Sequence, residues 1–419
     1  MKLRAFIFLM ISTSVHILSC NGPRDRSKYK GYDKVINSEQ IASVPLIKND
    51  SIIHVAIPME DNMNFKYNDQ LEDISFVKLE TTKESKINNL DKIIISKDRI
   101  MITDKTIKKE IYIFDRNGKF INAVSGNNNI HGQQVHITNI LDVTYDFGNE
   151  EIILHDQSGA KLYYFDKNGN FKHNKKEYLY FVQFANIPET DEYVYINPLG
   201  GNEHLPMLQK SSIYLGEKNT KIQFTATDAI TGMKTGVNYM INKHRSITNS
   251  NYRMFYVPEF SNRVYRILGK KGIREELIID LPSPNTFEKL KNPNNQTIEA
   301  FVRLTGSAQY YHFTGDVLCN EQDIYFIPTY RVGMSGYFYS KKKKRIIGGG
   351  NLSNAISGDT AKLAGFQYPI STYKDHFISV LYPADLILKF GKSDATLAAI
   401  QKKSKPDDNP VIVLYKIKE

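Results

Sequence analysis

The chain contains no tryptophan. That absence removes two well-marked β-repeat signatures, the Trp-Asp dipeptide of WD40 blades and the Trp-bearing sialidase box. Any flat sugar-binding platform would fall instead to the 26 tyrosines, whose rings pair an apolar face with a polar tip. Cysteine is nearly as scarce. Cys20 and Cys319 are the whole supply, which excludes a disulfide framework. Cys319 follows Val317 and Leu318, the setting of a small buried hydrophobe rather than a reactive thiol. A G-x-S-x-G nucleophile elbow, a phosphate-cradling glycine loop and an H-E-x-x-H zinc motif are all missing. No apolar run reaches the roughly 20 residues of a permanent transmembrane helix.

What is present begins at the N-terminus. Lys2 and Arg4 precede the apolar stretch Ala5–Val15, which ends in Ile17-Leu18-Ser19-Cys20. A short basic region, an apolar core and a terminal cysteine after a small residue resemble a bacterial lipobox. Residues 1–19 are therefore expected to be a signal peptide, and Cys20 the site of lipid attachment. Lipid on Cys20 is then the anchor the sequence supplies, with the membrane as a partner.

Net charge is +10, and the excess is spread along the chain except for the run Lys341–Arg345. That run lies between Tyr- and Ile-rich segments and reads as a solvated turn. Contact with an anionic partner is the sharper reading. An exported chain gives no reason to expect a nucleic-acid partner. Residues 20–70 are polar and carry one short extended segment, Ser51–Ile57. They read as the lipidated cysteine, a tether and an approach strand. Residues 71–419 read as one body.

Repeats define that body. Ile111-Tyr-Ile-Phe-Asp-Arg-Asn-Gly-Lys-Phe120 returns as Leu162-Tyr-Tyr-Phe-Asp-Lys-Asn-Gly-Asn-Phe171. Similar strand–turn–strand segments follow at 213–219, 264–272, 336–344 and 384–391. Each joins an apolar run to a second strand through a polar turn. Shorter apolar strands precede them, among them Ile93–Ser96, Ile100–Thr103, Ile152–His155, Tyr193–Asn197 and Phe377–Leu381. Two strands plus a hairpin make a four-stranded unit, and six units fill 71–419. A single blade cannot bury both faces, whereas six arranged radially can. The expected fold is all-β: a six-bladed β-propeller of four-stranded antiparallel blades. Two short helical decorations are expected, at 285–304 and 393–402. The terminal run Val411–Ile417 should close the ring beside Phe76–Leu79 or Ser51–Ile57.

The order of several segments also resembles a family of six-bladed β-propeller lipoproteins of Gram-negative gut bacteria, of NHL/TolB-like type. The resemblance lies in Val77-Lys-Leu-Glu-Thr-Thr82, the hairpin Ile111–Phe120, Arg263–Ile267 with Ile278–Pro282, Phe377–Leu386 and Asp408–Ile417. It implies fold, export and binding, and no reaction. Such relatives carry a Gly-rich loop with proline and an acid after the first hairpin. Here Gly126–Gln134 keeps Gly132 without either, so no role of that loop carries over. Surface-exposed lipoproteins of bacteria with this family often have an acidic run after the cysteine. This chain has Arg24, Arg26, Lys28 and Lys30 against Asp25. The resemblance therefore implies an outer-membrane anchor with the propeller on the periplasmic face.

Candidate chemistry is sparse. Asp115-Arg-Asn-Gly118 and Asp166-Lys-Asn-Gly169 have glycine at the wrong position for a calcium loop and suit hairpin turns. His131 and His136 lack the further ligands a metal site needs, and no metal or other cofactor is expected. Tyr310-Tyr311-His312 and Tyr330-Arg331 mix aromatic rings with titratable or cationic groups, a composition that suits binding and strand ends alike. The sequence thus favours a cell-envelope binding or scaffold module for an envelope protein, an oligosaccharide or a peptide. The alternative is a propeller enzyme of lyase or lactonase type with a metal at the channel mouth, which spacing alone cannot exclude.

Overall fold

The computed structural model describes residues 27–57, 71–130, 133–197, 202, 204–205, 208, 211, 213–217, 222–225, 247–250, 253–258, 262–280, 311–330, 333–351, 369–383 and 395–418. These residues form six antiparallel four-stranded blades in a propeller. Blade 1 is Lys92–Ile95, Arg99–Asp104, Glu110–Asp115 and Phe120–Ser125. Blade 2 is Ile140–Asp146, Glu151–Asp156, Lys161–Asp166 and Phe171–Lys176. Blade 3 is Gln183–Asn186, Glu192–Ile196, Ile213–Glu217 and Ile222–Thr225. Blade 4 is Ile247–Ser250, Arg253–Tyr256, Arg263–Ile267 and Ile273–Asp280. Blade 5 is Tyr311–Cys319, Asp323–Tyr330, Gly333–Ser340 and Arg345–Asn351. The first strands of neighbouring blades touch, so they line the axis and the fourth strands form the rim.

Blade 6 is assembled from both ends of the body. Ser371–Tyr373, His376–Leu381 and Val411–Ile417 are completed at the rim by Leu71–Lys78. Val411 pairs with Lys78 and Val413 with Phe76, the first of the two closures the sequence suggested. Residues 384–391, read as a sixth hairpin, lie outside the described residues, and the outer pair of blade 6 comes from 411–417 and 71–78. Of the two helical patches, Ala395–Lys402 is α-helical, and 285–304 lies outside the described residues.

The core is a ring of slabs between blades rather than one central cluster. Strand alternation explains it, because successive side chains leave opposite faces of a sheet. Val411, Val413 and Tyr415 pack toward blade 5, while Ile412 and Leu414 pack toward blade 1. In blade 2, Leu162 and Tyr164 face blade 3, and Tyr163 and Phe165 face blade 1. The remaining slabs join blades 3 to 4 and 4 to 5. The blade strands therefore read as nearly continuous apolar runs, as expected for sheets buried on both sides.

The two Asn-Gly segments are hairpin turns. Asp115 Oδ1 accepts from the Asn117 and Lys119 amides, and Asp166 Oδ1 from those of Asn168 and Asn170. Gly118 and Gly169 both have φ of 85°. A Cβ on Gly118 would also meet the Lys78 carbonyl oxygen at 2.2 Å, so this turn leans on the closing strand.

Residues 27–57 are not a free tether. Tyr29 and Ile36 are buried against blades 2 and 3. Ala42–Ser43 then pairs in parallel with the rim strand of blade 3. Leu46–Ile47 and Ile53–Ala56 pair in parallel with the rim strand of blade 4. This segment is a belt that covers open sheet edges, which would otherwise invite pairing with other chains. Its polar composition misleads because the edge needs backbone partners more than apolar side chains.

Candidate functional site

Antiparallel order gives the propeller two unlike ends. Turns between first and second strands, and between third and fourth, share one end and are short, for example 96–98, 147–150, 320–322 and 374–375. At the other end second strands stop, third strands start, and the chain leaves one blade and enters the next. The intervals between the described strands that open on this end include 126–139, 226–246, 281–310, 352–370 and 382–410. Short turns can do little more than reverse the chain. Long connections on a rigid scaffold are where binding groups collect. The long-loop end is the candidate functional face.

Two buried aspartates brace this face. Asp104 closes the second strand of blade 1, and Asp156 closes the second strand of blade 2. The Asp104 carboxylate accepts from the amides of Asn89 at 3.0 Å, Asn88 at 3.3 Å, Ile107 at 3.0 Å and Lys108 at 3.1 Å. Asp156 accepts from Thr138, Asn139 and Gly159. One carboxylate thus ties an incoming connection to the next turn. In sequence, Ile102-Thr-Asp104 and Leu154-His-Asp156 recur at the repeat interval, and that periodicity was the available signal.

Polar side chains stitch the axial strands together. Lys92 Nζ of blade 1 lies 3.0 Å from Asp142 Oδ1 of blade 2 and donates to the Val143 carbonyl. The second Asp142 oxygen accepts from the Phe184 amide of blade 3. Thr248 Oγ1 of blade 4 donates to the Val317 carbonyl of blade 5 at 2.6 Å, and Ser371 Oγ of blade 6 to the Ile93 carbonyl of blade 1 at 3.1 Å. These groups hold blades in register. Among the described residues no group of three or more His, Cys, Asp or Glu comes together as a metal site would require.

His155 sits beside this ring, fully buried on the second strand of blade 2. Its imidazole stacks on Phe181 with centroids 4.0 Å apart, and its Nδ1 has no hydrogen-bond partner. Desolvation pushes its pKa down to about 3, with Asp142 opposing and Lys28 reinforcing the shift. It is a neutral core group. Cys319 is likewise buried, and desolvation raises its thiol pKa to about 11, so it is no nucleophile at neutral pH.

Of the residues singled out from sequence, Tyr311 and His312 begin the first strand of blade 5, and Tyr330 ends the second. Backbone register sets Tyr311 opposite Tyr330 and His312 opposite Thr329. They therefore share one position on the long-loop face, on the two strands nearest the axis. Tyr310, Arg331, His131 and Cys20 lie outside the described residues. The lysine run occupies the opposite end as the hairpin turn 341–344, with Lys342, Lys343 and Lys344 exposed. Lys341 departs from the solvated-turn reading. Its ammonium turns inward to the Asn320 carbonyl, and desolvation lowers its pKa. Among the described residues no helix is long and apolar enough to cross a membrane.

These features define a six-bladed propeller with one elaborated face. The chain belongs to the family described as a domain of unknown function, DUF4934, whose profile matches residues 50–416. It is similar to the crystal structure of a candidate exported protein from Bacteroides fragilis. That likeness has 17% identity and a TM-score of 0.68, covering 88% of this chain and 100% of the other. A DUF4221 family member from Bacteroides vulgatus shows 9% identity and a TM-score of 0.49, over 83% of this chain and 98% of that one. No curated protein matches the chain.

Proposed function

We propose that this protein is a lipid-anchored envelope lipoprotein whose propeller binds a partner or ligand through its long-loop face. The observation that carries the binding reading is the convergence of Tyr311 and Tyr330 in cross-strand register on that face, next to the axis. Tyrosine pairs supply large amphipathic contact area at small entropic cost, and they suit an oligosaccharide, a peptide or an envelope protein. The braced turns at Asp104 and Asp156 support the same reading, because a preorganised rim loses less freedom on binding. The anchor rests on the lipobox-like sequence ending at Cys20, and the basic stretch behind it favours retention on the periplasmic side of the outer membrane.

The test is a pull-down from native membranes after mild solubilisation, comparing the wild type with Tyr311→Ala/Tyr330→Ala. Specific captured material that the double variant loses supports the reading. Equal capture by both proteins places binding elsewhere and overturns it.

A further inference from the structure

We propose that the blade 1 turn 105–109 is a docking surface for an anionic phospholipid bilayer. The proposal rests on the reading of Cys20 as the lipidated residue and names the surface that the anchor brings to the membrane.

The chain between anchor and fold is short. Cys20 precedes Ser27 by seven residues, so the two are at most about 25 Å apart even when fully extended. By Lys28 the belt is already fixed. Lys28 Nζ donates to the Gln157 carbonyl at 2.7 Å, in the turn between the second and third strands of blade 2. Tyr29 is buried and stacks on His204 at 5.1 Å. Lipid on Cys20 therefore brings the long-loop rim at blade 2, and the blades beside it, close to the headgroups.

The equivalent turn of blade 1 is built for such a surface. Ile107 is 60% exposed at its tip. The exposed Lys108 and Lys109 follow it, while Lys105 before it turns its ammonium to the Leu141 carbonyl of blade 2 at 3.2 Å. The fold holds the isoleucine outward. Asp104 accepts from the Ile107 and Lys108 amides, and Asp91 accepts from the Lys105 amide at 2.6 Å. Nearby carboxylates are thereby engaged by the backbone, and Glu110 accepts from the Tyr112 hydroxyl. The tip presents an apolar side chain beside the exposed Lys108 and Lys109. An apolar residue can enter the acyl boundary while lysines meet phosphates, which is how peripheral segments seat on anionic membranes. By contrast, exposed Phe147 lies on the short-turn end next to Glu150 and Asp146.

The test uses the mature chain from residue 20 with Cys20→Ser, so that no acyl group contributes. Co-sedimentation is measured with phosphatidylcholine vesicles with and without phosphatidylglycerol. The wild-type surface should bind only the anionic vesicles and release in high salt. Ile107→Asp and Lys108→Glu/Lys109→Glu should each weaken binding at least about tenfold, with thermal midpoints unchanged. Ile121→Asp, at the far end of the same blade, should bind as the parent does. Absence of binding, equal binding to neutral vesicles, or full binding by the turn variants overturns the proposal. Acyl labelling of the unaltered protein judges Cys20 separately, so the two readings fail independently.

Discussion

A buried imidazole with an unpartnered nitrogen makes stability depend on pH in a defined sense. His155 takes up a proton near pH 6.5 when unfolded but only near pH 3 when folded. Between these values the unfolded state binds more protons, so stability falls as pH drops from about 6.5 toward 3. His155→Phe keeps the ring against Phe181 and removes this loss. The parent's unfolding free energy should fall by about 1.4 kcal/mol per pH unit more steeply than the variant's in that window. Parallel pH profiles for the two proteins would refute the assignment. Asp104 offers a second test. Asp104→Ala strands four backbone amides and should cost about 3 kcal/mol, read as a drop in denaturation midpoint. Neither residue stood out in sequence. A histidine inside Ile152–His155 looks like any strand residue, and the role of an aspartate after a strand depends on which loops fold back onto it.

At the scale of strands, two contributions hold the ring closed, and their magnitudes differ. Lys416 Nζ lies 2.8 Å from Asp375 and 3.0 Å from Asp73, and His376 bridges the same two carboxylates. The Lys416 hydrogen bond holds the Asp73 carboxyl below its ordinary pKa. Asp73 is exposed and the other three are partly so, and ion pairs at the surface typically contribute about 1 kcal/mol or less. The apolar ladder of 411–417 buries side chains on both faces, each worth about 2 kcal/mol. Lys416→Ala should therefore move the denaturation midpoint only slightly. Removing 409–419 should open two edges and cause aggregation, scored by light scattering and loss of a cooperative transition. A soluble truncated protein with an unchanged midpoint would rule this closure out. The rim hairpins of blades 1 to 5 were legible because each pairs apolar strands across a polar turn. Most axial strands were not, because Gln183–Asn186, Ile247–Ser250 and Ser371–Tyr373 are short and partly polar where they line the channel.

For the whole molecule, the fold was legible and the site much less so. Hairpins that recur at 111, 162, 213 and 264 point to a propeller whatever it binds. The long-loop face draws residues from several blades far apart in sequence, and of the singled-out Tyr310, Tyr311, His312, Tyr330 and Arg331 the described strands place Tyr311, His312 and Tyr330 there. Blade 5 stands across the axis from blade 2, so the positions of Tyr311 and Tyr330 lie on the side of the ring away from the proposed membrane contact. If Cys20 carries the proposed lipid, Cys20→Ala should shift the protein from the membrane to the soluble fraction. Retention in the membrane pellet in high salt would refute the anchor. Protease added to intact cells should spare the exposed lysines 342–344 if the propeller faces the periplasm, and rapid loss with periplasmic controls intact would put it on the surface.

The final blade borrows its rim strand from residues 71–78 and its neighbour from 411–417. Those partners are more than 300 residues apart, so the ring cannot shut until both strands have been synthesised. Contacts of such long range make folding slow. The ring stays open while the chain is being made and locks only when the strand 411–417 arrives.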